Sequence, residues 1–373
     1  MFCKKKRAAK KRAKEAKKLQ KKGFASVLSD KRIPVPTPES IIDEDGKTVF
    51  GTFDKEFQNL NFLDIHKQSC LPDFMNKSRL TLWEACEINL DDDICILTAY
   101  SSLGGGIAGV CLTLVYDKHE KKRYAFTGIT NGNGMSAGLL DGDTTEGKSF
   151  LNSVKMVNDF GNGKATVSGK GKGLGCKYEM NFELTRFSKP SVVSIPFGKN
   201  KPLYSQKDLF NVDGYCVFNG KKYLATDASM AIIDDHRGYY PYNSHYDWVS
   251  TMGYGTVNGA KKKFGFNLTR NQSNNQDDYN ENLLWLEGET SRLTPIQFDH
   301  IEFNYWHVYD EHGMVDLYFD IGDRNRLKFQ AGVASADYSI CFGTLTGYVC
   351  DEAGNKYILD GMTGYGEDKS LRI

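Results

Sequence analysis

Between residues 50 and 373 the apolar positions fall in short runs, many alternating with polar residues and nearly all bounded by Gly, Asn or Asp. Such runs occupy Leu80–Ile88, Ala165–Ser168, Lys177–Leu184, Ser191–Ile195, Gly214–Phe218, Lys222–Ala225, Lys263–Leu268 and Leu283–Leu286. They continue through His300–Tyr305, Met314–Phe319, Lys328–Ala331, Ser339–Cys350 and Lys356–Met362. Short alternating or apolar runs between turn residues predict strands. Asn219-Gly220 joins two of them, and this dipeptide supplies the positive φ angles that a tight hairpin needs. No stretch beyond residue 50 keeps a 3.6-residue period over three turns. Ile94–Tyr116 carries no charge and includes Gly105 and Gly109, which is also the pattern of a membrane span. Its central Gly104-Gly105-Gly106 would cost a helix about 1 kcal/mol per glycine. The run therefore predicts two buried strands, Ile94–Tyr100 and Gly109–Tyr116, about a turn.

The N-terminus breaks this pattern. Lys4 to Lys22 is dense in Lys and Arg, with Glu15 as its only acid and no broad apolar face. It predicts a solvated helical tail (1–22) that adds nothing to a core, with an anionic membrane surface or RNA as its conceivable partner. Pro34, Pro36 and Pro38 mark an extended linker over 23–49. A chain of 373 residues has room for two cores. The least regular stretch, around Thr226–Ser250, places the junction so that the domains are 50–228 and 229–373. The expected fold class is all-β, with two tandem antiparallel barrels or sandwiches.

Composition narrows the function classes. The chain carries 37 Gly, 9 Pro, 20 Tyr and 22 Phe, which suits short strands with glycine turns and aromatic walls. A net charge of +1 gives no overall field toward nucleic acid. Nine scattered cysteines without a Cys-x-x-Cys pair signal neither a zinc ribbon nor a redox motif, and they fit a reducing, cytoplasmic setting. The basic N-terminus lacks the apolar run of a secretory signal. There is no P-loop and no Gly-x-Ser-x-Gly; the Gly169–Gly173 glycine–lysine run reads as a hairpin tip. The seven histidines do not fall in metal-ligand spacing, although His236 and His245 lie near Asp234 and Asp235. Neither a metal nor a cofactor is expected.

Candidate chemistry concentrates in Asp234-Asp235-His236-Arg237-Gly238-Tyr239-Tyr240-Pro241-Tyr242, followed by His245-Tyr246-Asp247-Trp248. A second group, Asn280-Glu281-Asn282, enters the apolar Leu283–Leu286, after a strand that ends at Asn267-Leu268. Amides and carboxylates entering apolar strands are costly unless they are partnered. They signal either a hydrogen-bonded network that braces a loop or a binding site, and the sequence leaves both open.

These residues resemble the DUF2804 family. The matching pieces are Asp234-x-x-Arg237-Gly238-x-x-Pro241-Tyr242, Asp247-Trp248, Gly265-Phe266-Asn267-Leu268 and Glu281-Asn282, with Leu82-Trp83-Glu84 and the Leu103–Tyr116 strand matching more loosely. The resemblance implies two tandem lipocalin-like β-barrels with an apolar ligand held within or between them. Three functions follow. The first is binding or carriage of a hydrophobic small molecule, lipid or isoprenoid-like. The second is an acid-catalysed hydratase, isomerase or cyclase acting on a polyene or similar apolar substrate. The third is an interaction module with no small-molecule site. In the first two, Glu281 or Asp234 is the candidate acid, and Arg237, Tyr242, Trp248, Asn267 and Asn282 contact the ligand.

Overall fold

The computed structural model of the chain describes residues 14–66, 72, 75–91, 93–136, 138, 143–173, 175–198, 200–332 and 334–372. Nearly every regular element is a strand, and the strands form two antiparallel sheets. In order of hydrogen-bonded neighbours, the main path of the first runs Lys122–Thr130, Ala108–Asp117, Ile94–Leu103, Thr81–Leu90, Met230–Gly238, Pro202–Phe218, Cys176–Arg186, Lys164–Gly173, Asn152–Asp159, Thr144–Lys148. The second runs Glu289–Arg292, Leu283–Leu286, Ala260–Arg270, Asn243–Val257, Lys356–Arg372, Ala334–Cys350, Val315–Ala331, Tyr305–Asp310, Ile296–Glu302. The first sheet curls into a nearly closed barrel and the second into a half-barrel, so the expected all-β two-barrel fold is the one observed. Gly104, Gly105 and Gly106 all have positive φ and turn the uncharged run back on itself as two strands. Among the described residues no helix is long and apolar enough to cross a membrane.

Three expectations need correction. Met230–Gly238 does not open the second domain; it lies in the first sheet, between Thr81–Leu90 and Pro202–Phe218. The chain crosses over only at Tyr239–Tyr242, because every residue of Met230–Gly238 is buried and the strand needs cover on both faces. His300–Tyr305 is not one strand but straddles the turn between Ile296–Glu302 and Tyr305–Asp310. Finally, residues 1–13 of the tail lie outside the described residues, but neither its part from residue 14 onward nor the linker is free. The helix over 14–22 rests Leu19 on the second core, and a Cβ at Gly354 would collide with the Gln20 carbonyl. Phe24 and Leu28 then enter that core, and buried Arg32 donates to the carbonyls of Leu293 (2.5 Å) and Asn282 (2.8 Å).

Strand alternation divides the interior into three layers. Cys86, Ile88, Tyr100, Met156 and Phe182 fill the first barrel. Val249, Phe264, Phe266, Trp306 and Phe319 fill the second. Leu97, Leu209, Ile232, Trp248, Trp285, Ile340, Phe342 and Tyr365 form a third core, contributed by both sheets where they face each other.

Candidate functional site

A cavity of about 270 Å³ opens within that shared layer. This is just under the roughly 300–1,000 Å³ usual for small-molecule sites. Leu97, Ala99, Val110, Leu112, Leu203 and Phe197 supply an apolar wall from the first half, facing Trp248, Leu327, Tyr338 and Ile340 from the second. Ionisable groups gather along part of this wall. They come from adjacent strands by the two-residue rule: Ser205 and Lys207, Asp234 and His236, Trp83 and Glu87 each point to the same face of the first sheet.

Lys207 Nζ pairs with Asp234 Oδ1 and stands 3.3 Å from Glu281 Oε2, all three side chains being nearly or fully buried. His236 Nε2 lies 3.0 Å from both Asp234 Oδ1 and Ser205 Oγ. Ser205 donates to Glu281 Oε2 at 2.8 Å, and Asn271 to Glu281 Oε1 at 3.1 Å. The Trp83 ring packs on His236 with centroids 4.2 Å apart, and both reach Tyr240 OH at 3.3 Å. Burial opposes ionisation of Glu281 and Asp234, yet Lys207 and His236 beside them hold both carboxyls below their ordinary range. Both carboxyls are thus held toward their ionised form. Lys207 is raised, since its two carboxylate partners outweigh its burial. His236 is depressed by burial and Lys207 but raised on balance by Asp234 and Glu281. Its Nε2 is also only 2.7 Å from Lys207 Nζ. A hydrogen bond on that N···N line has room for one proton.

A further carboxyl of the cavity wall, Glu87, is a residue the sequence did not single out. Glu87 is 2% exposed, its Oε2 has no hydrogen-bond partner among the described residues, and burial first and then the Asp234 charge push its carboxyl well above the ordinary range. Farther along the wall, Tyr246 and Tyr338 both donate to Glu367, the first at 2.8 Å. Lys369 donates to Tyr246 OH at 3.1 Å and lies over the Tyr338 ring; burial lowers its pKa.

Asp234, Trp248 and Glu281 all line the cavity. Asn267 and Asn282 stand behind it. Asn267 accepts from Trp248 Nε1 at 2.7 Å and donates to the Glu281 carbonyl at 2.8 Å. Asn282 accepts from the Thr269 amide at 2.6 Å and donates to the Thr294 carbonyl. Both brace the loop that presents Glu281. Arg237 is on the other side of the sheet: one residue beyond His236, it points into the first barrel and holds Asp235 at 3.0 and 3.1 Å and the Ser136 carbonyl at 2.5 Å. Tyr242 is 43% exposed and does not line the cavity.

A family model described as "Domain of unknown function (DUF2804)" matches residues 32–373. No curated protein matches the sequence. Among solved structures, kievitone hydratase from Nectria haematococca is similar at 11% identity and a TM-score of 0.46, over 87% of this chain and 98% of that one. An AttH-like protein from Nitrosomonas europaea is similar at 12% identity and a TM-score of 0.35, over 82% and 96% of the two chains.

Proposed function

Since the chain belongs to the DUF2804 family across residues 32–373, whose description names no activity, we propose a function from the cavity itself: proton-transfer catalysis, of the hydratase, isomerase or cyclase class, on an apolar small molecule seated between the two sheets. What supports this is the buried Lys207–His236–Asp234–Glu281 network on the wall of an otherwise apolar cavity, with the unpartnered Glu87 on the same wall. Burying so many ionisable groups costs several kcal/mol for each charge that lacks good partners. A carrier of apolar molecules has no need of them. The roles follow from protonation. Glu87 is the neutral acid that gives a proton to a double bond or leaving oxygen. The His236–Lys207 pair gives up a proton to solvent and then takes one from water or from an adjacent carbon. Asp234 and Glu281 remain ionised and stabilise the cation that forms. Trp83 and the aliphatic wall hold the apolar body and exclude bulk water, which strengthens each of these charges.

The test begins with gentle purification, native mass spectrometry and solvent extraction of what travels with the protein. An apolar compound is expected, and Leu112→Trp, which fills the cavity, should remove it. Returned to the protein in D₂O, that compound should gain deuterium. Glu87→Gln and His236→Gln should still bind it but exchange at least about a hundredfold more slowly, the usual scale for loss of a general acid or base. Binding without exchange by the wild type would leave a carrier. No compound, or full exchange by both variants, would sink the proposal.

A further inference from the structure

The strands that line the cavity carry a different set of residues on their opposite face. Asp247 and Asp368 are direct cross-strand partners in the second sheet. Like charges so placed repel and are ordinarily avoided. The candidate cation, Arg270, is the partner of Asp247 on the next strand, yet among the described residues it makes no ion pair with it. Two histidines approach instead: His245 Nε2 at 3.4 Å from Asp247 Oδ2, and His300 Nε2 at 3.2 Å from Oδ1. These separations exceed the 2.7–2.9 Å of a charge-assisted hydrogen bond. Among the described residues Asp247 Oδ1 has no hydrogen-bond partner of good geometry, on a residue only 3% exposed. One ligand atom from each of His245, Asp247 and Asp368 lies within 4.8 Å of the others. A tetrahedral ion with bonds of about 2.0–2.1 Å holds its ligand atoms about 3.3–3.4 Å apart. The other face of the His245 ring is already fixed: Nδ1 meets Ser370 Oγ at 2.9 Å, which leaves Nε2 for an ion.

We propose that His245, Asp247 and Asp368 bind one divalent transition-metal ion of the zinc class, with His300 standing 3.2 Å from the Oδ1 of Asp247. One imidazole and two carboxylates suit zinc or its first-row neighbours better than magnesium, which takes oxygen ligands and keeps its waters. The ion cancels the Asp247–Asp368 repulsion.

Isothermal titration of tag-free, chelator-treated full-length protein with ZnCl₂ tests this, beside MgCl₂. The expected result is saturable binding of about one zinc ion per chain with a higher thermal midpoint, and no response to magnesium. Asp368→Asn, which keeps its shape and removes the repulsion, should raise the midpoint of the metal-free protein while abolishing the response to zinc. His245→Ala, at a half-exposed position, should also lose zinc. No saturable zinc binding by the wild type, or undiminished binding by both variants, would overturn the proposal.

Discussion

At the scale of single residues, which way a side chain faces matters more than where it stands in the sequence. Asp234 and Arg237 look like one motif, but three positions along a strand put them on opposite faces. Asp234 meets Lys207 at the cavity, while Arg237 meets Asp235 inside the first barrel. That interior also contains Glu84, which accepts from Thr145 and from Asn158 at 2.7 Å. Burial first, then the Asp235 charge, raise its carboxyl from 4.5 to about 7. A carboxyl raised on folding keeps its proton in the native state after the unfolded chain has lost it. Between about pH 4.5 and 7 the native state therefore binds more protons, and stability falls as pH rises. The difference amounts to roughly 3 kcal/mol once pH exceeds the folded value. Glu84→Gln is neutral throughout and still bonds Asn158 and Thr145, whose hydroxyl can turn to accept. Urea denaturation from pH 4.5 to 8 should show the variant gaining on the wild type by about that amount across the range. Parallel curves would mean that Glu84 ionises as freely in the native state as in the unfolded chain.

At the scale of elements, the strands were legible because Gly, Asn and Asp punctuate them, and Asn219-Gly220 makes the turn expected of it, with φ of 50° and 86°. Glu281, Asp234 and Trp248 were legible because polar or bulky aromatic residues beside apolar strands stand out. Lys207, His236 and Glu87 were less visible for a physical reason. Met230–Gly238 is buried on both faces, and so is most of Pro202–Phe218, one face lying inside the barrel and the other between the sheets. With no solvent face, polar and apolar positions no longer alternate cleanly. The signal that remains is the i, i+2 repeat of polar residues, Ser205-x-Lys207 and Asp234-x-His236. The N-terminal helix misled for the opposite reason, since its composition is that of a solvated helix while one residue, Leu19, anchors it. Burying part of a leucine is worth about 1 kcal/mol, or roughly 1 °C in a chain of this size. A chain beginning at Gly23 should melt lower by that much. Leu19→Ser alone should account for most of the loss, whereas replacing exposed Lys17 and Lys18 by Gln should not. An unchanged midpoint on truncation would return the helix to solvent.

At the scale of the whole molecule the two barrels are not beads on a string. The chain begins on the second sheet, with Phe24 and Leu28 in its core and Arg32 on its loop carbonyls. It then crosses to the first, where Val35 bridges Phe53, and returns to the second only after Tyr242. Between the sheets the Tyr365 hydroxyl donates to the Ile88 carbonyl at 2.7 Å and Asn89 to the Met252 carbonyl at 3.0 Å. Tyr116 stacks on Phe342 with ring centroids 5.3 Å apart. Separating the halves would expose Trp248, Trp285, Ile340 and Phe342 together, a larger apolar patch than a monomer tolerates. It would also leave Lys207, Asp234 and His236 facing solvent without Glu281. Inter-domain contacts of this apolar kind do not permit independent motion or independent folding. Residues 23–242 and 243–373 expressed apart should each be insoluble or bind a hydrophobic dye, and co-expression should restore a soluble complex. In the intact chain, circular dichroism and tryptophan fluorescence should report one coincident urea transition, because Trp83 lies on the first sheet and Trp248, Trp285 and Trp306 on the second. Two separated transitions, with the first sensitive only to Trp83, would show barrels that fold alone and a cavity that either half can open.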